Sequence, residues 1–440
     1  TGTVNSEFLW GGTADDSITA NAGHDRLIGL DGDDTLNGGI GNDTLEGGEG
    51  NDNLRDEYGT NSILGGAGSD QIWISASDSY IAGGSLNGNN AFADGGADND
   101  NIHFGSLQNQ ATIIGGTGTD YIAQTSFNNQ QHYAKQVTIY ADGVSGETVD
   151  DGNDEIIIYS GQIANIDAGA GDDRIHVERY AAATINGGSG NDYVDLRTYQ
   201  IDNIDEDTGN YNYLAYGGSG NDSLILKHFA WYDNIRSYPY SVIFDGGSGN
   251  DSIYTNKSDV PTSDGHGYLH SLYFKGGEGD DSLKATYHTQ HLTLEGGSGS
   301  DTFHVTQVNL FNKEYWETHR RDVNNQPITD TSFIISDFEV GATGDVLDIS
   351  ALLKALTNNY SGNNPFQDYF HFRADGNDAV LSVDLDGNAG TDYTAVDVVT
   401  LKNVDLAQFT AENITLGFAL DGTLIEGVLT DLSQKAAAQT

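Results

Sequence analysis

Cysteine is absent from this 440-residue chain, so its fold relies on some staple other than a disulfide. Basic residues are scarce. Lys and Arg number 18 against 66 Asp and Glu, a net charge of −48. Such a surface repels nucleic acid and anionic lipid and attracts cations, so no nucleic-acid partner is expected. Proline occurs four times beside 58 glycines, which argues against collagen and against a proline-rich linker. Hydrophobic residues reach only 37%, low for a packed globule. No run of about eighteen apolar residues is present, so no membrane span is expected. No secretory signal opens the chain, and the abrupt start at Thr1 reads as that of a fragment or a processed product.

What the chain has is a period. From Gly11 to Trp73 it divides into seven nonapeptides: GGTADDSIT, ANAGHDRLI, GLDGDDTLN, GGIGNDTLE, GGEGNDNLR, DEYGTNSIL and GGAGSDQIW. The sixth position holds Asp16, Asp25, Asp34, Asp43, Asp52, Asn61 and Asp70. The eighth holds Ile18, Leu27, Leu36, Leu45, Leu54, Ile63 and Ile72. Further copies start at Gly95, Gly115, Val149, Ala168, Gly187, Gly217, Gly246, Gly276 and Gly296. Their sixth residues are Asp100, Asp120, Asp154, Asp173, Asp192, Asp222, Asp251, Asp281 and Asp301, and their eighth residues are all apolar. A disordered linker would not keep an apolar side chain in phase with the aspartate through sixteen units.

The unit resembles the GGxGxDxUx repeat of the RTX family, and the resemblance covers about residues 11–305. It implies an all-β fold: a right-handed parallel β-roll or β-helix solenoid, stabilised by multiple Ca²⁺ ions. It also implies that the fifteen sixth-position aspartates named above, Asp16 through Asp301, are metal ligands.

Elementary chemistry agrees. Glycine permits φ > 0, so the first six residues are expected to turn sharply and expose carbonyls. The last three are expected to form a short strand with the eighth side chain pointing inward. Carbonyl and carboxylate oxygens are hard ligands that suit Ca²⁺. Two nonapeptides make one coil, so residues 11–73 carry the motif on both edges and predict two ion ladders. Later copies lie 19, 20, 29, 30 or, once, 34 residues apart. There one edge keeps the ion turn and the other becomes an ordinary or enlarged loop. Strands are predicted ahead of the glycines, at ATII 111–114, ANID 164–167, ATIN 183–186, SVIF 241–244 and LTLE 292–295.

The enlarged loops, at 197–213, 227–240 and 255–270, are rich in Tyr, Trp and His. Phe229, Trp231 and Tyr232 either cover the open side of the solenoid or contact glycan or a neighbouring subunit. His288 and His291 are three apart in a predicted strand and so face opposite sides, which disfavours a zinc pair. HExxH, GxSxG and P-loop motifs are absent, and acidic pairs such as Asp172 and Asp173 sit inside ion loops, so no catalytic residue is expected.

After Val305 the period changes. Residues 306–330 read as a connector with the basic cluster His319, Arg320 and Arg321. SFIISDFEVGATGDVLDISALLKALTNN at 332–359 predicts a helix starting near Asp348 or Ser350. With AVLSVDLDGN, AVDVVTLKNV and LGFALDGTLI, it resembles the C-terminal target module of type I secreted RTX proteins. That resemblance implies a mostly-β cap and recognition by the type I secretion machinery. SVDLDGNAGTDY departs from an EF-hand loop, with Ala389 where glycine is needed, although a cation near Asp384 and Asp386 is an open alternative to a plain hairpin.

The expected layout is a lead-in at 1–10, a tandem β-roll at 11–73, an extended solenoid at 74–305, the connector, a cap and secretion module at 331–430, and a tail at 431–440. The leading expectation is a secreted, extracellular or cell-surface structural protein. It would be part of a surface, matrix or surface layer, or the distal part of an adhesin. It is expected to self-assemble or contact the cell surface, and to fold on export when calcium binds. The alternatives are a glycan-binding adhesin and the secretion portion of an enzyme whose catalytic domain lies upstream.

Overall fold

A computed structural model describes residues 1–56, 58–74, 90–105, 110–125, 134–143, 152–159, 161–199, 211–229, 240–255, 269–285, 289–306, 332–352, 369–384 and 395–415. They fall in two compact units, Thr1–Phe229 and Ala230–Thr440.

In the first unit the chain alternates between two sheets and returns to each one strand further on. One sheet begins with Phe8–Trp10, Arg26–Asp31, Thr44–Glu49 and Asn61–Ala67, and the other with Ser17–Ala22, Thr35–Ile40, Asn53–Asp56 and Gln71–Ile74. Every pairing between these neighbours is parallel. The expected β-roll is therefore what these residues form. The five strands predicted ahead of the glycines are all present, within Gln110–Thr117, Gly161–Ala170, Tyr180–Ser189, Tyr240–Ser248 and Thr289–Ser298.

Parallel register explains why the eighth position stays apolar. Ile18, Leu36, Leu54, Ile72, Ile102, Ile122, Ile156, Ile175, Val194 and Leu224 are Cα partners in succession, so each stacks on the next. Almost all are fully buried. Opposite them, Leu27, Leu45, Ile63 and Ala93 form the facing column. The wider coils add a second inward row, such as Phe104, Ile158, Val177, Leu196 and Leu226. A fully buried side chain of this size contributes about 1.5–3 kcal/mol.

The turns are tighter than the sequence suggested. Strands run through the first two glycines, as in Thr44–Glu49, where Gly48 pairs with Leu30 and Gly66. Only three residues, Gly50 to Asp52, separate this strand from the next. Gly48 and Gly50 have φ of 128° and 127°, a region open to glycine. Leu30 and Asn21 take the second position elsewhere and keep φ of 89° and 85°, so the coil imposes this backbone even on side chains it disfavours.

The copy that begins at Val149 in the sequence is assembled differently. Ala141 takes the place of the first glycine: its carbonyl accepts from Gly116 N at 2.7 Å, and its N–H donates to Asp167 O at 3.0 Å. Gly152, Asn153 and Asp154 then complete the turn. An insertion splits this unit, which explains the spacing of 34 residues from Gly115 to Val149.

In the second unit the same two-sheet stacking runs through Tyr240–Ser248, Leu269–Glu278 and Thr289–Ser298 on one side, and Ser252–Thr255, Ser282–Ala285 and Thr302–Val305 on the other. It continues past Val305. Ser332–Ile335 and Val346–Asp348 each add one more parallel strand, and Leu347 joins the column of Ile253, Leu283 and Phe303. Val396–Leu401 then pairs parallel with Ser332–Ile335, and antiparallel with Asp378–Val383, which pairs antiparallel with Phe370–Asp375. Residues 350–352 are helical, as expected from the sequence, whereas Leu353 and Leu356 lie outside the described residues. No helix among the described residues is long and apolar enough to cross a membrane.

Candidate metal centre

The sixth-position aspartates form a hydrogen-bonded ladder. Each one's backbone N–H donates to Oδ1 of the aspartate one coil further on. In the first unit the sequence is Asp16, Asp34, Asp52, Asp70, Asp100, Asp120, Asp154, Asp173, Asp192 and Asp222, at 2.6–2.9 Å. A shorter ladder on the opposite edge links Glu7 to Asp25, Asp25 to Asp43 and Asp43 to Asn61, at 2.7, 2.8 and 3.1 Å. The second unit links Asp251 to Asp281, Asp281 to Asp301 and Asp301 to Asp345. The two ladders expected for residues 11–73 are thus two hydrogen-bonded columns.

One oxygen of each carboxylate ties coil to coil. The other is left over. The Oδ2 atoms of Asp25, Asp34, Asp43, Asp52, Asp70, Asp100, Asp154, Asp173, Asp192, Asp281 and Asp301 are buried without a hydrogen-bond partner among the described residues. An anionic oxygen in that state is costly unless a cation meets it. Glycine leaves the room. A methyl group at Gly29, Gly47, Gly95 or Gly276 would collide with Oδ2 of Asp34, Asp52, Asp100 or Asp281. It would also crowd the carbonyl oxygen of Gly47, Gly65, Gly115 or Gly296 on the next coil. Each cradle therefore offers a hard carboxylate oxygen beside a hard carbonyl oxygen, a donor chemistry that fits Ca²⁺. Among the described residues no three His, Cys, Asp or Glu side chains are grouped to hold a metal, so backbone oxygens must supply much of any coordination shell.

Electrostatics point the same way. Burial, opposed by the hydrogen bond from the preceding coil, pushes the carboxyl of Asp52 up to about 6, Asp70 to about 7, and Asp100 and Asp154 to about 8. Repulsion between successive rungs adds to the shift. A bound divalent cation would supply the opposite charge that these groups lack.

Not every aspartate singled out by the motif is equivalent. Asp16, at the first rung, is only half-buried, and its Oδ2 already accepts from Gly12 N at 2.7 Å. Asp120, Asp222 and Asp251 are buried in the columns with the others. Three features escaped the sequence reading. Asp345 is the last rung of the second unit, buried, with Oδ1 accepting from Asp301 and Oδ2 from Glu339 N at 2.7 Å. Its signal was the D-x-L spacing of Asp345 and Leu347. The fifth position forms a second, exposed column: Asn51 N donates to Asp33, Ser69 N to Asn51, Asn191 N to Asp172 and Asn221 N to Asn191. Its signal was the run of Asn, Asp, Ser and Thr just before the ladder aspartate. Asp56 is the third, buried at a position that glycine normally holds.

Trp231, Tyr232, His288, the cluster His319 to Arg321, Asp386, and the LGFALDGTLI stretch lie outside the described residues.

The family of the RTX calcium-binding nonapeptide repeat (4 copies) matches residues 1–36, 10–45, 37–72, 184–197 and 241–259. Comparison with curated proteins and with solved structures finds no match. The chain carries RTX repeats, and RTX repeats bind Ca²⁺, with several ions fitting the repeat copies.

Proposed function

We propose that this chain is a secreted calcium-binding structural protein, part of a bacterial cell surface, extracellular matrix or surface layer, or the distal part of an adhesin. RTX repeats are a mark of calcium-binding proteins exported by type I secretion. The observation that carries the reading is the regular ladder of buried aspartates, each with one oxygen joining coils and most with one oxygen turned into a glycine cradle. The fifteen motif aspartates, Asp16 less completely than the rest, are the proposed ligands.

The physical consequence is a fold that waits for its ion. Without cations, charges on successive rungs repel one another across a thin core. Extracellular calcium modules typically bind at roughly 10⁻⁴–10⁻³ M, so the chain stays unfolded in a calcium-poor cytosol and is suited to threading through an exporter. Outside, ions bind the folded form and stabilise it by mass action. Circular dichroism during a Ca²⁺ titration tests this. β signal should appear near millimolar Ca²⁺, and a full β spectrum in metal-free protein would refute the switch. Electron microscopy with and without Ca²⁺ should show ordered assemblies only with the ion if the role is structural.

A contact role has support of its own. Trp73 is 39% exposed on the outer face of a sheet, stacked on His103 at 4.1 Å, with Tyr121 edge-on to His103 at 5.7 Å. An aromatic row on an outer face, with Trp73 exposed and His103 and Tyr121 half-buried beside it, favours the adhesin reading, with glycan or a neighbouring subunit as the partner.

A further inference from the structure

The sixth nonapeptide, DEYGTNSIL, departs from the motif twice, with Asp56 for the first glycine and Asn61 for the ladder aspartate. Read as a string, it closes the shorter ladder with a defective unit. The structure joins the two departures. Asn61 Oδ1 accepts from Asp43 N at 3.1 Å, as an aspartate does at other rungs. Asn61 Nδ2 donates to Asp56 Oδ1 at 2.9 Å. Asp56, Asp43 and Asn61 are 0%, 2% and 3% exposed.

Their second oxygens converge. A methyl group at Gly38 would lie 2.8 Å from Asp43 Oδ2 and still closer to Asp56 Oδ2. In the cradles of Gly29 and Gly47, one carboxylate oxygen faces one backbone carbonyl. Here a second carboxylate oxygen faces the cradle. Asp43 Oδ2 is buried and accepts from no donor among the described residues, its near neighbour being the Asp56 carboxyl. Two buried carboxylates aimed at one cradle repel unless a cation or a shared proton lies between them. The amide at position 61 fits this arrangement. A third carboxylate there would add charge, whereas Asn61 holds Asp56 by one oxygen and leaves the other directed at Gly38.

We propose that Asp43 and Asp56 form a dicarboxylate Ca²⁺ site at the end of the shorter ladder, tighter than the single-carboxylate cradles. Ligand charge is a main determinant of calcium affinity in oxygen cages. The site takes the first ion and anchors the tandem block, from which later coils stack. This inference rests on reading the ladder cradles as calcium sites.

The test is Ca²⁺ calorimetry on the full chain beside Asp56→Asn and Asp56→Gly. Asp56→Asn keeps the shape and removes the charge. Asp56→Gly restores the motif's first glycine, guarding against a variant that fails to fold. Wild type should show a tight class of one ion ahead of a larger weak class. Both variants should weaken that class by about tenfold or more while leaving the weak class in place. If both keep the tight class unchanged, the pair shares a proton and the dicarboxylate site is refuted, while the ladder reading stands. If wild type takes up no Ca²⁺ at all, both readings fall.

Discussion

Replacing Asp100 with Asn separates the two roles of a ladder aspartate. The amide keeps an Oδ1 acceptor for Asp70 N, which donates to Asp100 at 2.7 Å, and loses the charge. Asn61 shows that an amide fits such a rung, since its Oδ1 accepts from Asp43 N. In the ion-free chain burial pushes the Asp100 carboxyl from its ordinary 3.8 up to about 8, with the hydrogen bond from Asp70 opposing and the charges of Asp120, Asp70 and Asp94 adding. A carboxyl raised in this way favours the folded chain fully below about pH 4, and that support is lost as pH rises through about 8. At pH 7 the ceiling is about three units at about 1.4 kcal/mol each, or about 4 kcal/mol. Solvent screening at an edge turn reduces this to roughly 1–2 kcal/mol.

Ion-free Asp100→Asn should therefore fold more readily than wild type at pH 7–8 and no differently near pH 4. With Ca²⁺ at ten to a hundred times Kd the order should reverse. Losing one ion then removes roughly 1.4–2.7 kcal/mol. The assay is circular dichroism in metal-free buffer across pH 4–8, with an excluded osmolyte titrated in to populate the folded state. Thermal melts at about 10 mM Ca²⁺ complete the comparison, the upper end being one hundredfold over a Kd of about 10⁻⁴ M. An Asn variant less stable than wild type in ion-free buffer at pH 8, or more stable in saturating Ca²⁺, would refute the reasoning.

Two further outcomes are expected. Gly48→Ala should destabilise the tandem block by at least about 2 kcal/mol, because φ of 128° is unfavourable to alanine and the new methyl meets the Leu30 carbonyl; an unchanged melt in saturating Ca²⁺ would contradict it. On the outer face of the first unit, burial opposes ionisation of Asp195, but His176, Arg197 and Lys227 together hold its carboxyl well below the usual range. Arg197 Nη2 and Lys227 Nζ lie 2.9 and 2.8 Å from its Oδ2. Asp195→Asn should cost roughly 2–3 kcal/mol at pH 7, less than a fully buried pair because the cations are partly exposed. The stabilisation is present above about pH 4 and lost as pH falls below it, so urea melts of wild type and variant should converge at low pH.

The period by itself determined the repeat, the coil and the chemistry of its edge. A residue eight places along that is always apolar, paired with an aspartate two places earlier, can be satisfied by a stack in which each Leu or Ile lies on its like. Leu36 on Leu54 on Ile72 is that stack. Spacing also separated the doubly decorated block at 11–73 from the coils with one ion edge, because loop insertions change the count without touching the motif.

Tertiary structure decided what a period cannot hold. Ala141 and Asp154 belong to one turn although an insertion separates them, since parallel register matches residues by place in the coil rather than by distance along the chain. Asp345 completes a ladder from inside a stretch that keeps only Gly341 of the repeat's three glycines, because a backbone N–H one coil back needed an acceptor at that point. Asp56 and Asn61 look like two errors in a string and become one site only when the coils stack and bring Asp43 to them. The sequence names the donors of each rung, but which two oxygens face one cradle depends on which coils are neighbours, and the packed sheets set that.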